Sequence, residues 1–437
     1  MFRKEDLFHP GTAAAPLTRR TMLGLSAAGA AMAGFAAQAA TPSRAPRLHR
    51  GGSIHTLMNW AELEPGSKDH HVWPPFAQAK YQTPASFLDR LRATGIDHLR
   101  LTVDQGPFLQ AQGARKSELD AILLRKCRFI LDRGLDVIVD FHPISQIAKY
   151  HPFKIAADIG GQLFKDYAAM IAHVAGVLKA LDPARVALEP FNEPPYGYDP
   201  RTTARWQKMM EVMHAGIRAR NRDIAVVWSG AKSSDIEALV QIDPKPFRDD
   251  NIFWSFHYYS PHPFTHQSLR SSQGNLRHYR YLTDIPYPAR EGNAALLLDT
   301  INANLTMDRN MVGPQRRVLQ RKAADFIRTY LADDFGPHTI ARDFDKANAW
   351  ARKNGIPSQR IFLGEFGVIR RNASGNGPIN RQRLAWLRDV RKAAEARGFG
   401  WSIWDINQPE MGIVYKRDVP AFDDGMIEAL GLKNPAS

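Results

Sequence analysis

A chain of 437 residues has room for two or three average domains or for one large α/β barrel. Its 44% hydrophobic, 10% aromatic and 23% charged residues exclude a disordered chain, and a lone cysteine, Cys127, excludes an intrachain disulfide and argues against a cysteine-based metal site. The formal net charge of +14 at pH 7 directs attention to anionic partners, but the basic residues are scattered and no nucleic-acid module is present, so the charge reads first as general surface chemistry and second as steering of an anionic substrate or retention near an anionic envelope.

Residues 1 to about 40 read as a targeting segment. In "TRRTMLGLSAAGAAMAGFAAQAA" an arginine pair, Arg19 and Arg20, precedes a mildly apolar Ala/Gly-rich run that ends in Ala37-Gln38-Ala39. Thr18, Arg19, Arg20 and Leu23 resemble a twin-arginine export signal, which implies a folded protein leaving a bacterial cytoplasm for the periplasm or beyond. Residues 1–39 hold four Arg/Lys and two Asp/Glu, so the remainder keeps +12. After residue 41 no stretch is apolar for long enough to span a bilayer.

Eight short apolar or β-branched runs follow, at 51–57, 96–103, 135–142, 185–192, 224–230, 251–259, 360–367 and 398–406. Helical patterns lie between them. In 83–95, Phe87, Leu88 and Leu91 share a face and Gly95 offers a cap; 117–134 ends at Gly134. Strand and helix alternating eight times predicts a closed (β/α)8 barrel, and the absence of Gly-x-Gly-x-x-Gly after the first strand argues against a dinucleotide site. One spacing is anomalous: roughly 100 residues separate the sixth and seventh strands, including the Arg/Tyr/Pro-rich 268–290, which predicts a long insertion beside the barrel mouth. With no repeat or linker in sight, 41–437 is expected to be one catalytic domain and a monomer.

Functional residues of such a barrel gather at the C-terminal ends of its strands, where the loops converge. Those ends carry Arg100, His142, Asn192, Glu193, His257, Tyr259, Glu365 and Trp404. The stretch "LEPFNEPP" (188–195) has two readings: a turn with a solvated Glu, or a strand that stops so that Asn192 and Glu193 enter a site. Glu365, on the seventh strand, favours the second, because two carboxylates facing each other across the mouth are what glycoside cleavage requires. Trp60, Trp73, Trp228 and Tyr198 could line sugar subsites or simply pack, and Glu189, inside the fourth strand, reads as structural.

"HLRL", "DFHP", "FNEP", "FHYY", "GEFG" and "WSIW", in that order and each at a strand end, resemble glycoside hydrolase family 5, the cellulase family of clan A, over nearly all of residues 50–432. The resemblance implies Glu193 as general acid/base, Glu365 as nucleophile and Asn192 bonded to a sugar 2-hydroxyl. It implies His257 and Tyr259 as supports of the carboxylates, Arg100 holding Glu365 ionised, His142 contacting the sugar or the polar network, and Trp404 stacked under a sugar ring. No cofactor or metal is implied. Pro143 stands where many relatives have a second histidine, and the insertion has no assignable counterpart.

The expected activity is therefore a retaining endo-β-1,4-glucanase acting on β-glucan. A glycanase for an anionic bacterial exopolysaccharide is the alternative that the charge suggests. A non-catalytic carbohydrate-binding protein is disfavoured because both carboxylates and their supports are present. A metal hydrolase is weaker still, since His55, His142 and His257 sit on separate strands and no cysteine cluster occurs.

Overall fold

The computed structural model describes residues 45–270, 277–414 and 421–435; residues 1–40, read above as an export signal, lie outside them. Eight parallel strands close into a barrel in chain order: β1 (Arg50–Met58), β2 (His98–Val103), β3 (Asp136–Phe141), β4 (Val186–Glu189), β5 (Ala225–Ser229), β6 (Ile252–Tyr258), β7 (Ile361–Phe366) and β8 (Gly400–Ile403). All eight expected strands match to within three residues at each end. The fourth does not reach residue 192. It stops at Glu189 because Pro190 has no N–H to give the ladder, and Asn192 is fixed instead by its own N–H on the Phe141 carbonyl at 2.8 Å.

Period-two alternation sorts each strand into two faces. On β2, Leu99, Leu101 and Val103 join the large apolar cluster formed with the surrounding helices, so His98, Arg100 and Thr102 face the lumen. A separate small cluster of Ile138, Ala187, Ala225, Val227, Phe253 and Phe362 fills the lumen below the site. Register then pairs polar side chains on neighbouring strands: Ser53 with Arg100, Asp140 with Glu189, and His257 with Glu365. Barrel closure needs Gly400, where an added Cβ would lie 1.6 Å from the Leu48 carbonyl oxygen.

The helices expected at 83–95 and 117–134 are Ala85–Ala93 and Ala114–Leu131, with Phe87, Leu88 and Leu91 buried as the pattern required. Gly95 and Gly134 follow in the left-handed region at φ 97° and 74°. The β6–β7 connection runs from Tyr259 to Arg360. It contains two helices packed on each other, Ala294–Met307 and Gly313–Ala332, and then Pro337–Lys353, which returns to the barrel wall through Phe344 on Phe256 and Trp350 on Trp254. Among the described residues no helix is long and apolar enough to cross a membrane.

Candidate active site

At the C-terminal end of the barrel a single guanidinium organises the polar groups. Arg100 is fully buried. Its Nε and Nη2 form a fork on Glu189 at 2.7 and 3.0 Å, Nη1 donates to Glu365 Oε1 at 2.7 Å, and Nη2 reaches both Asn192 Oδ1 at 2.7 Å and Asp140 Oδ2 at 3.0 Å. Burial alone would lower the pKa of Arg100, but Asp140, Glu189 and Glu365 outweigh it and push it well above the ordinary value. One cation against three carboxyls leaves an excess of negative charge, which expresses itself as proton uptake. Burial raises Asp140 to about 7, with Arg100 opposing, and raises Glu189 for the same reason.

Asn192 links this cluster to His142. Because its Oδ1 accepts from Arg100, its amide nitrogen faces His142 Nε2 at 3.2 Å and donates to it. His142 Nε2 is therefore an acceptor, and Nδ1–H donates to Asp140 Oδ2 at 2.9 Å. Burial pushes this imidazole down to about 3, so it is neutral. Of the two expected contacts of His142, sugar or polar network, its nitrogens are both spent on the network. Its ring stacks on Trp404 at 5.4 Å and 14°.

The two glutamates occupy different surroundings. Glu365 is 3% exposed, and besides Arg100 it accepts from the Tyr259 hydroxyl at 2.9 Å on Oε2. Burial and then the Glu365 charge hold Tyr259 well above 10, so it remains a donor. Glu193 adopts a left-handed backbone, φ 44°, a strained conformation for a residue with a Cβ. Its side chain keeps 37% exposure, and its Oε1 meets His257 Nδ1 at 3.0 Å. Burial within the mouth raises Glu193 to about 7, against the pull of Arg100. His257 is pushed down by burial and is neutral; Nδ1 faces Glu193 and, at 3.6 Å, Glu365 Oε2, so the proton resides there.

Oxygens of Glu193 and Glu365 and a nitrogen of His257 lie within 4.8 Å of one another, a spacing that a metal ion could bridge. The surroundings suit proton chemistry better. Both Glu365 oxygens already accept strong donors, and the adjacent guanidinium would repel a cation.

All eight expected residues converge on this mouth except that Trp404 forms its edge, and three residues given no role in glycoside cleavage complete it: Asp140, inside the DFHP motif, Glu189, read as structural, and His55. Asp140 and Glu189 are two of the three carboxyl partners of Arg100, and His55 packs edge-on against Trp404 at 5.1 Å and His142 at 5.4 Å. The signal for Asp140 was its position two residues before His142, on the same strand face. Trp60 donates from Nε1 to His55 Nε2 at 3.1 Å and remains 48% exposed at the rim, and Tyr198 is 69% exposed near Glu193. Trp228 is core, packed on Trp206 and Phe247, while Trp73 donates to Glu118 with the Arg115 guanidinium over its ring.

Residues 64–410 match the family profile described as Cellulase (glycosyl hydrolase family 5). The chain belongs to glycosyl hydrolase family 5. Endoglucanase 3 of Fibrobacter succinogenes is 22% identical over 329 residues, covering 72% of this chain but only 44% of that protein. Endoglucanase C of Acetivibrio thermocellus is 22% identical over 76% of this chain and 85% of its own length. By fold, Thermotoga maritima Cel5A, solved with mannotriose, has a TM-score of 0.61 at 19% identity, with 89% of this chain and 98% of that one covered. The cellulose synthase subunit Z of Clostridioides difficile gives 0.58 at 21%, covering 88% and 99%.

Replacing Arg100 with Met strands the three carboxyls. At pH 7 the variant is expected to lose about 3–5 kcal/mol of unfolding free energy. With their counter-charge gone, the carboxyls take up protons in the folded state more readily than when unfolded, so the deficit shrinks as pH falls from 7 towards 5. Urea titrations at several pH values check this; a deficit that stays constant or grows on acidification contradicts the shared-cation arrangement.

Proposed function

We propose that this protein is an exported retaining glycoside hydrolase, an endo-β-1,4-glucanase that cleaves β-glucan by double displacement. The observation that carries the reading is the pairing of two unlike carboxyls. Glu193 and Glu365 each bring one oxygen within 4.8 Å of an oxygen of the other, so both can reach one anomeric carbon; this supports the close pairing of retaining enzymes, whose carboxyls stand roughly 5–5.5 Å apart, over the roughly 6.5–9.5 Å that leaves room for a direct water.

In this mechanism Glu365 attacks the anomeric carbon. Arg100 and Tyr259 aim its oxygens and remain donors throughout, and Tyr259 can release Oε2 as that atom becomes the ester oxygen. Glu193, raised to about 7, still carries a proton near neutrality and gives it to the leaving oxygen; afterwards it takes one from water. His257 Nδ1–H occupies Glu193 Oε1 and leaves the other oxygen for that proton. Asn192 spends one amide hydrogen on His142, and the second is available to the sugar 2-hydroxyl. Trp404, backed by His142 and His55, offers a platform for the apolar face of the ring, and exposed Trp60 extends it.

Hydrolysis should retain the anomeric configuration, so NMR of the earliest products shows the β-anomer before mutarotation. Glu365→Ala should abolish turnover. Glu193→Ala should retain glycosylation from substrates with good leaving groups, and azide should accelerate it and yield a β-glycosyl azide. Early α-anomer would contradict the assignment. Export through the folded-protein route is part of the same reading: changing Arg19 and Arg20 to Lys should hold activity in the cytoplasm, and undiminished activity outside it would overturn that part.

A further inference from the structure

The insertion after β6 and the loop after β7 enclose a second polar cavity on the loop-bearing face of the barrel. Arg270, Arg280, Asn304, Asn372, Asn376 and Asp308 line a hollow of about 260 Å³, with Tyr281 in its wall. Arg270 and Arg280 are exposed, and among the described residues neither guanidinium forms an ion pair; Arg280 lies 5.5 Å over the Tyr281 ring. Arg371 on the same rim differs, being neutralised by Asp284 at 2.7 Å.

The remaining groups leave the hollow rich in donors. Asn372 Oδ1 already accepts from the backbone N–H groups of Ser374 and Asn376, both at 3.0 Å, which leaves its amide N–H groups as the free end. Asn304 is oriented by its bond to the Tyr281 carbonyl at 3.1 Å. The one acid, Asp308, has its oxygens engaged by the Tyr281 hydroxyl at 2.6 Å and the Asn310 N–H at 3.0 Å, and these bonds hold it below the ordinary carboxylate range. Among the described residues that line it, two guanidinia against one carboxylate give a net charge of one positive unit, the complement of a single anionic group.

Its position ties it to the catalytic mouth. Tyr259, bonded to Glu365, packs against His266 at 5.2 Å; His266 stacks on His262 at 3.7 Å and faces Tyr279 at 6.5 Å; and the Tyr279 carbonyl accepts from Ser268 N–H at 2.8 Å, which also lines the cavity. The segment from Tyr259 to Ser268 thus runs from the tyrosine on Glu365 to the wall of the cavity.

We infer that this pocket is a subsite for a carboxylate-bearing sugar or substituent of the glycan chain, held by Arg270, Arg280 and the Asn372 amide. The proposal rests on the glycanase reading above and adds to it a preference for acidic over neutral glucan. The small volume admits one sugar-sized group. The charge makes the preference salt-dependent, since screening at 1 M shortens the reach of charge to about 3 Å.

The test compares the mature full-length protein with Arg270→Gln/Arg280→Gln on two ligands of equal length, a neutral cello-oligosaccharide and its carboxymethylated counterpart. Both turnover and calorimetric binding are measured. The variant should bind and cleave the carboxymethylated ligand about tenfold less well in kcat/KM and affinity, the order expected for losing charge-assisted hydrogen bonds, while the neutral ligand is unaffected. Raising salt should erase the difference between the two proteins. Equal loss on both ligands, or no loss on the acidic one, overturns the pocket. Failure of the wild-type protein to hydrolyse either ligand overturns the glycanase reading instead, and the binding comparison still decides the pocket.

Discussion

The site depends on a shortage of positive charge. Arg100 is a single buried cation asked to satisfy Asp140, Glu189 and Glu365, and it is held in place on β2 by a barrel that offers these groups no water. A buried charge without compensation is costly, so the guanidinium and its acids fix one another's geometry, and the fork on Glu189 sets the plane in which the other nitrogens point. Everything nearer the mouth inherits that plane. Nη1 aims Glu365, Nη2 orients the Asn192 amide, and the amide in turn decides which nitrogen of His142 carries the proton.

The same shortage separates the two glutamates that the mechanism uses. Glu365 receives the guanidinium directly, together with the Tyr259 hydroxyl. Glu193 stands on a strained turn beyond the end of β4, bonded only to a neutral imidazole, and burial raises it to about 7. Position relative to one cation thus makes one carboxyl an acceptor of charge-assisted bonds and the other a carrier of a proton. Asp140, also raised to about 7, titrates in the same range, so the acid form of the site is a property of the cluster rather than of Glu193 alone.

Much of this was legible in sequence because strand ends in a barrel share one face. The β-branched runs located all eight strands, and the polar residue at each end supplied Arg100, His142, Asn192, Glu193, His257, Tyr259, Glu365 and Trp404. The length of the fourth strand was not, because "LEPFN" looks extended; only the missing N–H of Pro190 ends the ladder at Glu189. Glu189 was read as structural, which its buried fork on Arg100 bears out, whereas Asp140 was overlooked because it lies one lumen layer below the strand end, although period-two spacing from His142 pointed inward. An inward Arg100 flanked by apolar residues also demanded buried acids. The rim cavity was beyond sequence reasoning altogether, since the residues that line it, 268, 270, 280, 281, 304, 308, 372 and 376, are brought together only by the way the insertion folds back.

The central claim is that Glu365, aimed by Arg100, becomes covalently bonded to the sugar. Incubating the protein with a 2-deoxy-2-fluoro cellobioside that carries a good leaving group, then digesting it and sequencing the labelled peptide by mass spectrometry, tests this directly. The fluorosugar is expected on Glu365, in stoichiometric amount and with loss of activity. Label on Glu193 or Asp140, or turnover of natural glucan with no trappable ester, would contradict it.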